Sequence, residues 1–411
     1  MVAIPLFLIF IVSVLLVFDT KKGILAAVVV RPLIDCFWEA KYDFLALRPT
    51  EILGVVLPIL IFFKIIISQE NKIFRTPLAF TFGIYTFYQL LPILFVASEE
   101  GSLKSLSMYF RILHGFLGFI VFQEFFYQKD NFKKLLIAYI IAGIAPLSMS
   151  IYQNILGGVI QTEETVAGLI RNIGYYHDAY TLRYYALQTL AGILVFGAYF
   201  LGKGQVLFRS SLKVMGLFCI FTVYKIYSKT GYLVLAQWGM IWFFFKKKYI
   251  SLIIIMMALF ILLSFTNIFE SVSLTYTKEI GAFKGEEKIE RTLQGRWTGW
   301  QSMYQKWLIA PFYSKIIGTG RPALGVHNDF LRVLVSTGII GFIFYILILS
   351  WSLIKSINNC FKNPTPLNIL SLMVLSLWLT DSMGLTPGTY PGQQIFVWGF
   401  VGLAFRGVDN L

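Results

Sequence analysis

A histidine and two arginines share one long polar segment of an otherwise apolar chain. Arg296 and Arg321 precede His327, which is followed directly by Asn328 and Asp329. An imidazole titrates near neutrality and can accept a proton from an attacking hydroxyl group. A guanidinium stays charged and offers paired donors that fit phosphate oxygens. The segment is therefore a candidate site in which His327 accepts a proton and Arg296 and Arg321 bind a diphosphate group. The alternatives are a structural histidine and surface arginines near lipid headgroups.

The composition decides what kind of molecule must position these residues. Of the 411 residues, 57% are hydrophobic and only 14% are charged, which excludes an ordinary soluble domain. The net charge of +14 comes mostly from short basic clusters between apolar runs. That distribution is typical of membrane topology and not of nucleic-acid binding.

Apolar runs long enough to cross the hydrocarbon core recur along the whole chain. We expect one transmembrane domain over 1–411, all-α and polytopic, with roughly 11 to 13 transmembrane helices. No internal repeat or Pro-rich linker divides it. The runs lie near residues 3–18, 51–68, 77–97, 105–125, 134–152, 184–201, 212–227, 231–245, 249–267, 330–354 and 366–383, with weaker ones at 23–38 and 394–406. The first run lacks a basic leader and a small-residue cleavage site, so it is interpreted as a retained span.

The basic residues also predict an orientation. Lys and Arg concentrate in one set of alternate short loops, which are therefore assigned to the cytoplasm. The two long loops, 153–183 and 268–328, then share the opposite, outward face. Within the second loop, tryptophan and tyrosine recur every three or four residues and predict a helix over 296–308. Its aromatic face is expected either to lie along the membrane surface or to pack on the spans below.

The motif order around the histidine resembles the signature of the bacterial O-antigen polymerase and O-antigen ligase superfamily. Gly295-Arg296 with Trp300, the Gly318-Thr-Gly320 element and His327-Asn328 match it in order. Leu331-x-x-Leu334 and Gly338-x-x-Gly341 follow in the expected places. The resemblance implies a GT-C type glycosyltransferase in the bacterial inner membrane, acting at the periplasmic face on undecaprenyl-diphosphate-linked sugars. It also implies an inverting reaction in which the histidine activates or binds the acceptor.

The resemblance extends loosely to the first long loop. Arg171, in Arg171-Asn-Ile-Gly174, is similar to a family arginine that is a candidate diphosphate ligand. Arg183 and Lys229 are further candidates, although Lys229 replaces a family arginine and loses its paired donors. Asn328, Asp329 and Tyr176 are possible acceptor contacts, and interfacial anchoring is the ordinary alternative for the tyrosine.

The outward loops contain no Asp-x-Asp pair, which favours a reaction without metal or cofactor. We expect a polymerase that adds the glycan to another lipid-linked repeat unit, with the bilayer, a chain-length regulator and a flippase as partners. The alternative is a ligase that transfers the glycan to lipid A core. A flippase for the lipid-linked unit is a distant third possibility, because transporters tend to show repeated halves.

Some polar residues inside apolar runs have no assigned role. Asp381 is expected to face the protein interior, and its partner is left open. Arg111 and His114 are either a structural ion pair or part of a polar cavity. Cys36, Cys219 and Cys360 lack paired or metal-like spacing and are interpreted as inert thiols.

Overall fold

The structure is a computed structural model, and it describes most of the chain. The described residues are 3–40, 47–67, 76–95, 99–164, 169–202, 204–251, 253–254, 257, 276–277, 281–282, 284–286, 296–321, 323 and 325–409. Most of the predicted span at 249–267, and most of the second long loop before Arg296, lie outside this set.

The fold is built from α-helices, which contain 80% of the residues that the structure describes. In chain order the helices of the described part are α1 (Ala3–Phe18), α2 (Thr20–Asp35), α3 (Pro49–Ile67), α4 (Pro77–Tyr88), α5 (Leu90–Phe95), α6 (Glu99–Phe125), α7 (Lys129–Ala142), α8 (Ile144–Asn154), α9 (Ala179–Phe200), α10 (Val206–Lys225), α11 (Lys229–Phe245), α12 (Arg296–Ile309), α13 (Phe312–Ile317), α14 (Asp329–Lys362), α15 (Pro366–Gly384) and α16 (Pro391–Arg406). A short 3-10 turn, Pro387–Thr389, joins α15 to α16.

Seven helical segments of the described chain are long and apolar enough to cross a membrane. They are Pro49–Ile67, Pro77–Phe95, Ser105–Phe125, Lys129–Asn154, Val206–Lys225, Asp329–Lys362 and Pro366–Gly384. The predicted all-α fold is therefore confirmed, and the seven helices have the length and composition that membrane insertion requires. They are fewer than the apolar runs because α1, α2, α11 and α16 have only 16 or 17 residues, and because most of 249–267 lies outside the described residues. The predicted span at 184–201 is helix α9, which begins among polar residues.

One feature of the first long loop was not predicted. Strands β1 (Gln161–Glu164) and β2 (Ile170–Gly174) form an antiparallel hairpin. The hairpin is fixed to the end of α8, because Gln153 accepts a hydrogen bond from Gly174 N at 2.8 Å and donates one to Gln161 O at 3.1 Å. The backbone groups of this loop are thus satisfied without a helix.

Helices α6 and α16 form the centre of the bundle, and glycines let their backbones meet. A Cβ added at Gly402 would lie 2.3 Å from Phe119 O, and one at Gly118 would lie 2.8 Å from Ile395 Cα. Phe122 and Phe400 then pack edge to face across the contact.

Helix α14 is broken at Gly338, which has φ 66°. The break matters because the polar segment before α14 donates hydrogen bonds to backbone carbonyl groups just before it. Thr319 N donates to Val335 O at 3.0 Å, and Gly320 N donates to Ser336 O at 3.1 Å. These two bonds tie the segment that leads to His327 onto the first turns of α14.

The glycine spacing of the motif has a direct steric reason. A Cβ at Gly338 would lie 2.4 Å from Ile316 O, and a Cβ at Gly318 would lie 2.3 Å from Ser336 O. Both residues also have positive φ, which disfavours any L side chain. Glycine at these two positions therefore allows the two backbone segments to be in direct contact.

We expect Gly338→Ala to destabilise the protein by at least about 1–2 kcal/mol, from the positive φ alone, with the backbone clash adding to this. The matched control is Gly239→Ala, since Gly239 lies inside helix α11 with no atom within 4 Å of an added Cβ. There alanine should be neutral or slightly stabilising. Thermal midpoints in detergent would measure both, and equal midpoints for the two variants would contradict the steric argument.

Candidate functional site

Residues of the two long loops come together at one place. Arg296 and His327 belong to the second loop, whereas Arg171 and Asp178 belong to the first. The charges of Arg296 and Asp178 both act on the His327 ring, and the charge of Arg171 acts on Arg296. The predicted catalytic pair thus shares its surroundings with a predicted diphosphate ligand from the other loop.

His327 is exposed, and its backbone is held in the left-handed region with φ 48°. Partial burial of the ring lowers the pKa of His327, and the charge of Arg296 lowers it further, while Asp178 opposes the shift. The ordinary pKa is near 6.5, so the ring is neutral at pH 7. A neutral imidazole is the form that can accept a proton.

The opposing charges give a test of this electrostatic arrangement. We expect Arg296→Gln to raise the pKa of His327, because it removes a cation that disfavours imidazolium, and Asp178→Asn to lower it. Titration of ¹³C-labelled histidine by NMR would measure the shifts, since the chain has 3 histidines and His327→Asn identifies the peak. Shifts of the same sign in both variants would contradict the geometry.

The residues after the histidine have structural roles. Asn328 caps helix α14, because its side chain accepts a hydrogen bond from Leu331 N at 3.0 Å. Asp329 is fully buried, pairs with Arg332 at 2.7 Å and accepts a hydrogen bond from Tyr345 at 2.7 Å. The prediction that Asp329 contacts an acceptor therefore needs correction, because both of its oxygens are engaged inside the protein.

Arg296 is the first residue of α12, and its position depends on α15. Its guanidinium donates to the carbonyl oxygen of Gly384, at the end of that helix. Burial lowers the pKa of Arg296, as do the charges of Arg171 and Arg183, but a guanidinium remains charged at neutral pH. The helix predicted over 296–308 is confirmed as Arg296–Ile309. Trp300 fixes it to the loop by donating to Val326 O at 2.7 Å, next to His327.

Arg171 lies on β2, directly opposite Glu163 on β1, and the two side chains form an ion pair. The Arg171 side chain is 15% exposed and that of Glu163 is 40% exposed, so the pair is only partly accessible to solvent. The role of Arg171 as a diphosphate ligand stays a prediction.

The structure does not support the prediction that Arg183 is a diphosphate ligand. It is 1% exposed and forms an ion pair with the fully buried Asp381 at 2.6 Å. Ser228 and Thr230 accept further hydrogen bonds from its other amino group. The predicted diphosphate ligand is thus a buried structural cation, because both of its amino groups are engaged within the bundle. The partner that the sequence left open for Asp381 is Arg183.

Tyrosine rings close one side of the site. Tyr180 stacks on Arg183, with 4.9 Å from Cζ to the ring centre, and contacts Tyr390 at 4.5 Å between ring centres. Tyr390 also approaches Asp178. Tyr176, predicted as an acceptor contact, is instead fully buried against Tyr185, because the chain turns it into the core just before α9.

The two remaining predicted diphosphate ligands, Lys229 and Arg321, lie at the edge of the site. Lys229 follows Ser228, the cap of α11, and its amino group lies 5.5 Å from the Tyr276 ring centre. Arg321 is exposed and lines a small cavity with Gln89 and Arg332. Their roles as diphosphate ligands stay predictions.

Sequence reasoning missed the segment that holds both loops in place. Asp381 binds Arg183, Gly384 binds Arg296, and Tyr390 contacts Asp178. Gly388 packs on the Asp329–Arg332 pair, since an added Cβ would lie 2.5 Å from Arg332. A signal was present in the sequence: Asp381 lies in an apolar run, and glycines and prolines punctuate 384–392.

Within the described residues, no group of three or more His, Cys, Asp or Glu side chains is arranged to hold a metal ion. The charged groups that act on one another here include His327, Arg296, Arg171 and Asp178. Asp178 also pairs with the His177 ring at 3.3 Å. A scan against models of known protein families and a search of curated proteins each give no match for this chain.

Proposed function

We propose that the protein is a surface-polysaccharide polymerase, a GT-C type glycosyltransferase. It would transfer an undecaprenyl-diphosphate-linked glycan onto a second lipid-linked repeat unit. The observation that carries the proposal is the convergence of Arg171, Arg296 and His327 from two loops at one place. The resemblance of the Gly295–Gly341 motifs to the O-antigen polymerase and ligase superfamily adds support.

In the proposed reaction, an acceptor hydroxyl gives its proton to Nδ1 or Nε2 of the neutral His327 ring. The hydroxyl oxygen forms a bond to the anomeric carbon of the donor while the bond to the diphosphate oxygen breaks, with inversion. Undecaprenyl diphosphate leaves with the bonding electrons. Arg296 and Arg171 stabilise the charge that develops on it, and no metal is required.

The cellular setting belongs to the same proposal. The apolar helices beyond the seven long ones also cross the bilayer, which gives roughly 11 to 13 spans in one domain. Both long loops face the periplasm from the bacterial inner membrane. A chain-length regulator and a flippase are the expected partners.

The test incubates purified protein in detergent with lipid-linked repeat units alone, then with lipid A core added, each with and without chelator. A ladder from repeat units alone, unchanged by chelator, is the expected result. Product that requires lipid A core would make the protein a ligase instead. Absence of both products would overturn the proposal, and transbilayer movement of the lipid-linked unit would then favour a flippase.

A further inference from the structure

The far end of helix α14 lies against the end of α11. Phe361, the last residue but one of α14, contacts Phe245 at 5.2 Å and Phe244 at 6.4 Å between ring centres. The part of α14 after its break at Gly338 rises roughly 36 Å, at about 1.5 Å per residue. This exceeds the hydrocarbon core of a bilayer, about 30 Å. Because α14 begins next to the His327 site, the contact with α11 is at the opposite membrane surface.

Four lysines surround this contact. Three of them follow the last residue of α11 and one ends α14, namely Lys246, Lys247, Lys248 and Lys362. All but Lys246 are exposed, and no ion pair of the described residues involves any of the four. The sequence has no Asp or Glu over 179–269 or 330–380. Nearby carboxylates therefore do not compensate the positive charge of this cluster.

The ends of the two helices account for only part of this charge. A helix carries about half a negative charge at its carboxyl end, and a lysine there stabilises it. Two helix ends therefore account for roughly one of the four positive charges. Lys246 lies over the Trp242 ring, with 5.6 Å from its amino nitrogen to the ring centre. Lys247, Lys248 and Lys362 remain to interact with an anion.

Apolar side chains continue from the lysines towards the bilayer centre. Met240 and Phe244 are four residues apart on α11, and Ile354 and Phe361 are seven apart on α14. Each pair therefore lies on one face of its helix. The four side chains are between 46% and 66% exposed, and the contact of Phe244 with Phe361 joins the two faces. A ligand that uses both the lysines and this surface must carry an anionic group and hydrocarbon.

We propose that the ends of α11 and α14 bind an anionic phospholipid. Its phosphate lies among Lys247, Lys248 and Lys362, and its acyl chains lie along the faces of Phe244 and Phe361. Lysine clusters beside membrane-spanning helices attract anionic headgroups, and the attraction grows with each lysine. The site is separate from the proposed glycan transfer and does not depend on it.

The experiment titrates the purified full-length protein, in a non-ionic detergent, with phosphatidylglycerol or with phosphatidylcholine of the same acyl chains. Native mass spectrometry counts the bound lipids. The test variant is Lys247→Gln/Lys248→Gln/Lys362→Gln, and Lys248→Gln/Lys362→Gln takes its place if the triple variant fails to fold. Glycerol 3-phosphate, which carries the charged group without acyl chains, is added as a competitor.

The matched control removes the same charge from another lysine cluster. Lys129, Lys133 and Lys134 are exposed on the first turns of α7, where Asp130 lies among them. The control variant is Lys129→Gln/Lys133→Gln/Lys134→Gln. Thermal midpoints in detergent check the folding of each variant.

Wild type and the α7 control should bind phosphatidylglycerol at least about tenfold more tightly than phosphatidylcholine, and the test variant should lose most of this preference. Equal binding of the two lipids by wild type, or an equal loss of preference in the test and control variants, would overturn the proposal. Displacement of the lipid by an equal concentration of glycerol 3-phosphate would also overturn it, because the ligand would then be a free phosphate. The readout involves no glycan transfer, so its failure leaves the proposed function untouched.

Discussion

We expect His327→Ala to reduce kcat/KM for glycan transfer by about 10²–10⁴-fold, the usual contribution of a positioned general base. The reason is that the neutral ring, on which the charge of Arg296 acts, accepts the proton in the proposed reaction, and water replaces it poorly. The measurement is the initial rate of ladder formation from lipid-linked repeat units, with protein folding checked by size-exclusion chromatography.

The backbone at this position calls for a second variant. His327 has φ 48°, where alanine is strained and asparagine is better tolerated. His327→Asn should therefore keep the loop in place and lose as much activity as His327→Ala. If His327→Asn retains near wild-type rates, the imidazole is not the base and the loss in alanine comes from the backbone.

The second large effect concerns the buried ion pair. Arg183→Leu should destabilise the protein by about 3–5 kcal/mol, because it leaves the Asp381 carboxylate buried without its cation. Asp381→Leu should cost a similar amount for the opposite reason. The thermal midpoint of unfolding in detergent would measure both losses, and this measurement needs no substrate.

Two controls separate this explanation from a general sensitivity to mutation. The double variant Arg183→Leu/Asp381→Leu removes both charges and should recover much of the stability lost in either single variant. Arg171→Gln removes an arginine whose partner Glu163 is 40% exposed, and it should cost less than about 1 kcal/mol. Additive losses in the double variant would contradict the assignment of Arg183 as a buried structural cation.

Much of the fold follows from local sequence features. Apolar length predicts helices because a lipid-facing backbone must bond to itself, and the described runs are helical. The aromatic spacing over 296–308 predicts α12 almost to the residue. These predictions succeed because each depends on a period or a length within one segment.

The roles of single polar residues could not be predicted in the same way. Arg183 and Arg171 have the same type and lie near each other, yet Arg183 is buried with Asp381, 198 residues further along the chain. His327 and Asp329 are two positions apart, and only His327 is exposed. Such outcomes depend on which distant segment packs against each side chain, and a single sequence does not contain that information in local form.

Hydrogen bonds from Thr319 and Gly320 to the first turns of α14 join the two ends of the segment from Gly318 to Gly338. The position of His327, which lies within this closed segment, is therefore supported by these bonds. They involve no residue before Arg296, so insertions or substitutions there leave them in place. Under the proposed function, the part of the loop before Arg296 can therefore change with the sugar while the imidazole keeps its place. Proton transfer and substrate recognition then vary independently.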